Sequence, residues 1–199
     1  MVLYGLTGGV GMGKSAVARL LAARGLKVVD TDHIARELVQ PGEPVLKEIA
    51  AVFGPEIIRQ DGSLDRGRLA DLVFQDESQR KVLEGILHPR IRERWLAQTD
   101  DWRKCGERAG VVVVPLLYES NAENLVDKVI CVSCTRKTQE SRLNQRGWSP
   151  VQQAQRIEAQ LSIAAKMDRA DFVIWSESTL QLTERQLIRI FGLESSSAQ

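Results

Sequence analysis

The chain alternates short apolar runs with longer segments of helical spacing. Runs at 2–6, 26–30, 111–114, 128–133 and 171–175 have the length of strands, and helix-length segments separate them. Such runs are what a parallel sheet covered by helices on both faces produces. The alternation therefore predicts an α/β fold with a five-stranded parallel, doubly wound sheet.

One interval breaks the rhythm. Between the second and third runs lie about eighty residues of mostly helical periodicity, interrupted at Gln40-Pro41-Gly42-Glu43-Pro44 and Gln60-Asp61-Gly62-Ser63, far more than a single crossover needs. The expectation is a core of residues 1–31 and 109–199 carrying an inserted helical domain at 32–108. A second helical pair follows the fourth run. At Arg146-Gly147-Trp148-Ser149-Pro150 one helix stops and another starts, with Ser149 as cap, Pro150 at the first helical position and Gln152 completing a capping box. This hairpin, at about 135–166, reads as a lid able to move. The tail 194–199 is small and polar and is expected to fray.

Candidate chemistry begins where the first run meets the first helix. Gly8-Gly9-Val10-Gly11-Met12-Gly13-Lys14-Ser15 fits the Gly-x-x-x-x-Gly-Lys-Ser phosphate loop in the strand-to-helix context the loop requires. Its glycines reach conformations closed to other residues and let backbone amides point at phosphate oxygens. The helix dipole adds to those amides, Lys14 reaches the β- and γ-phosphates, and the Ser15 hydroxyl ligates Mg²⁺. The loop predicts a nucleoside triphosphate but leaves open whether the phosphoryl group goes to water, a protein or a small acceptor.

Asp30-Thr31-Asp32 closes the second run, beyond which ligands bind in open α/β sheets. On an extended segment both carboxylates face one point, so Asp32 reads as a base for an attacking hydroxyl and Asp30 as its helper. Asp32 reads equally well as the cap of a helix beginning at His33. In residues 135–156 five basic side chains (Arg136, Lys137, Arg142, Arg146, Arg156) face one acidic residue, Glu140. Arg142 and Arg146 are neighbours on one helix face; either a polyphosphate between them or surrounding solvent relieves their repulsion.

Composition narrows the partners. Over 199 residues, 43% hydrophobic and 27% charged is an ordinary globular balance, and a net charge of +1 gives no overall field to gather nucleic acid or an anionic membrane. The longest apolar stretch, 111–118, falls far short of the ~20 residues that span a bilayer, and no basic leader opens the chain, so a cytosolic location is expected. Cys105, Cys131 and Cys134 are an odd set, which argues against a disulfide framework. Cys131 and Cys134, three apart in a strand pattern, point to opposite faces and read as structural rather than as zinc ligands.

With these residues in view the sequence resembles the dephospho-coenzyme A kinases, phosphotransferases with an alcohol acceptor. They use ATP to phosphorylate the ribose 3′-hydroxyl of dephospho-coenzyme A, the last step of coenzyme A biosynthesis. The similar segments are the one from Leu6 through the phosphate loop, Val29-Asp30-Thr31-Asp32, Asp61-Gly62, Leu87-His88-Pro89-Arg90-Ile91, Val113-Val114-Pro115-Leu116-Leu117-Tyr118-Glu119 and Arg142-Leu143-Asn144-Gln145-Arg146. The loop is shared by many families; its combination with Asp-x-Asp, Leu-His-Pro and Val-Pro-Leu-Leu at these separations is much more specific.

The resemblance implies a P-loop kinase core, a helical domain receiving the pantetheine-bearing substrate, and a helical lid. It implies ATP contacts from Gly9, Gly11, Met12, Gly13, Lys14, Ser15 and Ala16, with Arg142 and Arg146 from the lid. Acceptor contacts would come from Thr7, Asp30, Asp32, His88 and Glu119, Mg²⁺ would sit on Ser15, and Asp32, Lys14 and Arg142 would form the catalytic set. His88, before proline, also reads as an interdomain hydrogen bond. The partners are the small molecules ATP and dephospho-coenzyme A, with neither nucleic acid nor membrane. Two segments depart from the family: in the loop Met12 and Ala16 replace small polar residues, and Ser176-Glu177 stands where asparagine is usual, which bears on the adenine contacts. The competing readings are another P-loop small-molecule kinase, of the nucleoside monophosphate type, and a nucleotide-dependent switch, for whose Asn/Thr-Lys-x-Asp segment there is no match.

Overall fold

The computed structural model describes residues 1–193; the tail 194–199 lies outside the described residues. Five strands form one sheet: β1 (Val2–Gly8), β2 (Lys27–Asp30), β3 (Ala109–Val113), β4 (Lys128–Ser133) and β5 (Phe172–Trp175), in the order β2-β3-β1-β4-β5. β1 pairs in parallel with β3, from Val2↔Ala109 to Leu6↔Val113, and with β4, from Tyr4↔Lys128 to Gly8↔Val132. Each strand lies within a residue or two of its apolar run. The apolar runs have the expected cause: in β3 and β4 nearly every side chain is buried, because both faces of the sheet are covered.

The core of this sheet gathers Leu6, Val111, Val113, Ile130, Val132 and Ile174 with Val17 and Leu21 of α1 (Lys14–Ala23) and Leu187 of α9 (Leu180–Phe191). Burial of each such side chain contributes about 1.5–3 kcal/mol. That rigidity reaches the site because β1, at the centre, is where the strand order reverses, and ligands bind beyond the carboxyl ends of strands at such a point. Cys131 and Cys134 are buried thiols, and burial pushes the Cys131 thiol up to about 11.

The chain divides into two compact units: Met1–Val29 with everything from Trp102 onward, and Asp30–Asp101. The second unit holds α2 (Thr31–Glu37), α3 (Pro44–Phe53), α4 (Arg66–Gln75) and most of α5 (Glu77–Lys104). α5 runs through Pro89, where the Arg90 side chain donates to the Ile86 carbonyl at 2.6 Å on the stretch of helix that proline weakens. In the first unit α6 (Arg136–Gln145), α7 (Pro150–Glu158) and α8 (Ile163–Arg169) separate β4 from β5. The Ser149 capping box forms as read, with Pro150 at the first helical position. Among the described residues no helix is long and apolar enough to cross a membrane.

Candidate active site

The phosphate loop is shaped by close approach. At Gly8, φ is +142° and a Cβ would lie 2.2 Å from the Val132 carbonyl oxygen, so only glycine lets the chain leave β1 while still paired with β4. Gly13, with φ +96°, caps α1, and a Cβ there would lie 2.9 Å from the Ser176 hydroxyl. Between them the backbone is braced by side chains from three other segments. The Val10 N–H donates to Gln160 at 3.1 Å, Gln139 donates to the Val10 carbonyl at 2.7 Å, and the Ser176 hydroxyl donates to the Met12 carbonyl at 2.7 Å. The Val10 and Met12 carbonyls are thus occupied by donors, and the N-terminus of α1 brings the positive end of the helix dipole to the loop.

Lys14, at the first position of α1, donates to the Gly8 and Gly9 carbonyls at 2.7 and 3.0 Å. Its ammonium is therefore held on the loop itself, and sequence reasoning gave it no such bracing role. Ser15 follows, exposed in the first turn, and the Ala16 N–H donates to the Gly13 carbonyl at 3.0 Å. Met12 is 3% exposed, so the apolar departure from the family pattern fills the core side of the loop.

The basic segment is sorted by its partners. Arg136 pairs with Glu140 at 2.8 Å, and the Arg156 guanidinium lies 4.5 Å from the centre of the Trp148 ring. Arg142 donates to the Ser176 hydroxyl at 3.0 Å and to the Ser176 carbonyl at 2.6 Å, while Arg146 is exposed at the C-cap of α6. Among the described residues the two arginines share no partner. Glu177 accepts from the hydroxyls of Thr135 and Thr138, which holds its carboxyl below the usual range and ties the start of α6 to the turn after β5. Ser176-Glu177 therefore has a defined place: it clasps α6 and the loop.

Thr7 and Glu119, expected among the acceptor contacts, are instead engaged with protein groups. Thr7 is fully buried and donates to the Pro115 carbonyl at 3.2 Å. Glu119 pairs with Lys166 at 2.8 Å and accepts the Leu161 N–H at 2.8 Å. Lys166, absent from the sequence reading, is completely buried and also donates to the Pro115 carbonyl at 3.0 Å. A lysine in an amphipathic pattern looks like any solvated charge until the fold brings Glu119 to it. Replacing Lys166 with Ala leaves the Pro115 carbonyl with the Thr7 hydroxyl and the Glu119 carboxylate with the Leu161 N–H but without a cation, and the broken ion pair is expected to cost about 3 kcal/mol, or about 6–12 °C in Tm. Urea and thermal unfolding measure this; a loss below about 1 kcal/mol would contradict the assignment.

The Asp-x-Asp segment resolves differently from the extended reading. α2 begins at Thr31, so Asp30 is its N-cap and accepts the Asp32 N–H at 2.9 Å. The cap role thus belongs to Asp30 and not to Asp32, and Asp32 stands in the helix rather than on an extended segment. Asp32 is exposed in the first turn of α2 and lines a cavity of about 360 Å³. Its walls are mostly apolar, Val39, Ile49, Leu69 and Leu87 among them, with Arg36 and Arg66 as the basic residues. His88, one position beyond Leu87, is exposed and borders a different depression with Arg92, Glu93 and Asp100. The structure does not bring His88 to Asp32.

Comparison with known proteins agrees with this geometry. A dephospho-CoA kinase of Halalkalibacterium halodurans is 42% identical over 190 residues, covering 95% of this chain and 94% of that protein. The solved structure of TT1252 from Thermus thermophilus superposes with a TM-score of 0.82 at 30% identity, covering 98% of each chain. A dephospho-CoA kinase of Campylobacter jejuni gives 0.71 at 26% identity, covering 96% of this chain and 95% of that one. Residues 2–181 match the profile of the dephospho-CoA kinase family, and the chain belongs to that family.

Proposed function

We propose that the protein transfers the γ-phosphoryl group of ATP to the ribose 3′-hydroxyl of dephospho-coenzyme A, giving ADP and coenzyme A, the last step of coenzyme A biosynthesis. The observation that carries this reading is the braced phosphate loop between β1 and α1 in a chain whose residues 2–181 match the dephospho-CoA kinase family.

The loop amides and the start of α1 hold the polyphosphate. Lys14 turns from the Gly8 and Gly9 carbonyls to the β- and γ-phosphates, and Arg142 adds its guanidinium to the transferring group. The acceptor hydroxyl forms the new P–O bond as the bond to ADP breaks, and its proton passes to the Asp32 carboxylate. The apolar cavity beside Asp32, with Arg36 and Arg66 at hand, receives the acceptor. Thr7, Asp30 and Glu119 serve as struts behind these groups.

Mg²⁺ is brought by the nucleotide. Ser15, exposed in the first turn of α1, fits such an ion, and β3 continues through Val114 into Pro115 without a carboxylate. Among the described residues no three or more His, Cys, Asp or Glu side chains are grouped to hold a metal. Such an ion would be held by Ser15 together with the nucleotide's phosphates and water, and would neutralise charge on the phosphates. The proposed compartment is the cytoplasm, whose reducing conditions suit the free thiols Cys105, Cys131 and Cys134.

The test is a coupled assay with ATP, Mg²⁺ and dephospho-coenzyme A. The expected result is equimolar ADP and coenzyme A. Preferred transfer to a nucleoside monophosphate would return the chain to the competing kinase reading.

A further inference from the structure

Ser176 is the first residue after β5, and three groups of it are committed in three directions. Its N–H donates to the Ser133 carbonyl at the end of β4 at 2.8 Å, so the residue is still registered to the sheet. Its hydroxyl donates to the Met12 carbonyl at 2.7 Å and accepts from Arg142 at 3.0 Å. Its carbonyl accepts from the other terminal nitrogen of Arg142 at 2.6 Å. The residue is only 6% exposed, so these bonds compete little with water.

The Arg142 guanidinium thereby lies at the corner of the loop: a Cβ on Gly13 would sit 3.4 Å from Arg142 Nη1. Two guanidinium N–H groups are spent on Ser176, and the remaining donors stay available beside the first turn of α1. A long side chain held by two bonds in one plane has lost its rotamer freedom before any ligand arrives, which is the entropy a mobile arginine would otherwise lose at each turnover. The same hydroxyl occupies the Met12 carbonyl of the loop.

From this junction we infer that Ser176 is a positioning residue for phosphoryl transfer. It aims Arg142 at the transferring group and fixes that aim to the loop and to the sheet through one side chain. The inference rests on the proposed role of Arg142 as the guanidinium that meets the transferring phosphoryl group. Because Ser176 acts through Arg142, its effect falls on the chemical step more than on ground-state ATP binding.

The experiment is a double-mutant cycle with wild type, Ser176→Ala, Arg142→Ala and the double variant. For each, kcat at saturating ATP and acceptor, ATP affinity by calorimetry and Tm are measured. Ser176→Ala is expected to lower kcat about tenfold in the wild-type background and less than about twofold once Arg142 is gone. ATP affinity is expected to stay within about threefold. Ser176→Thr, which keeps the hydroxyl, is expected to recover most of the rate and guards against a packing effect of Ala. An equal loss in both backgrounds, or no loss in the wild-type background, would overturn the inference, since a brace acting only on Met12 would work without Arg142. If the wild type prefers another acceptor, the proposed function fails while the cycle remains readable with that acceptor.

Discussion

Lys14→Ala is expected to lower kcat by about 10²–10³, the cost of removing one charge-stabilising donor from a preorganised site. The reason is electrostatic: the ammonium sits within 3.0 Å of the Gly8 and Gly9 carbonyls, on the same loop as the amides and helix terminus that receive polyphosphate. A phosphate-binding lysine need not touch the core, so a loss of stability does not follow from its charge role alone. The structure adds a second effect. Those two bonds brace the loop, and their loss is expected to cost about 1–2 kcal/mol. Turnover and Tm of Lys14→Ala should therefore both fall, and ATP at high concentration should not restore the rate. Turnover within about threefold of wild type would remove Lys14 from the chemistry.

Asp32→Asn is expected to lower kcat by about 10²–10⁴, the usual worth of a general base. The competing explanation for an aspartate at this place was helix capping, for which asparagine serves nearly as well. Asp30 fills that role, accepting the Asp32 N–H, so the cap does not depend on the Asp32 carboxylate, whose place near the α2 N-terminus is worth about 0.3–1 kcal/mol. The expected signature is a large loss of turnover with Tm nearly unchanged. Asp30→Ala is the control, predicted to lower stability by about 1 kcal/mol through the lost cap. If phosphoryl transfer is loose enough, the carboxylate's main work is aiming the hydroxyl, and Asp32→Asn then sits at the lower end of the range. Near-normal turnover would exclude Asp32 as base.

How much of the site could be read in advance depended on the range of the interaction involved. The strand–loop–helix form of the phosphate loop was legible, since Gly8 and Gly13 act through backbone conformation, which is local, whereas the Lys14 bonds to the Gly8 and Gly9 carbonyls were not. The Ser149-Pro150-Gln152 cap was legible for the same reason. The Asp30-Thr31-Asp32 segment misled because one choice, whether Thr31 continues the strand or opens the helix, reverses which carboxylate caps. Thr7 and Glu119 were motif positions whose surroundings lie more than forty residues away. Contact with Pro115 and Lys166 makes them internal struts, and no local pattern encodes that.

Sequence alone determined the order of strands and helices, the phosphate loop and the long helical insertion, because apolar periodicity and glycine geometry are written residue by residue. It could not determine that Lys166 is buried, that Gln139 and Gln160 hold Val10, or that Ser176 joins Met12 to Arg142. Those contacts join residues up to 164 positions apart, and they exist only because the sheet order places β4 beside β1 and β5 beside β4. A buried polar group must find a partner, but which partner it finds is fixed by tertiary packing.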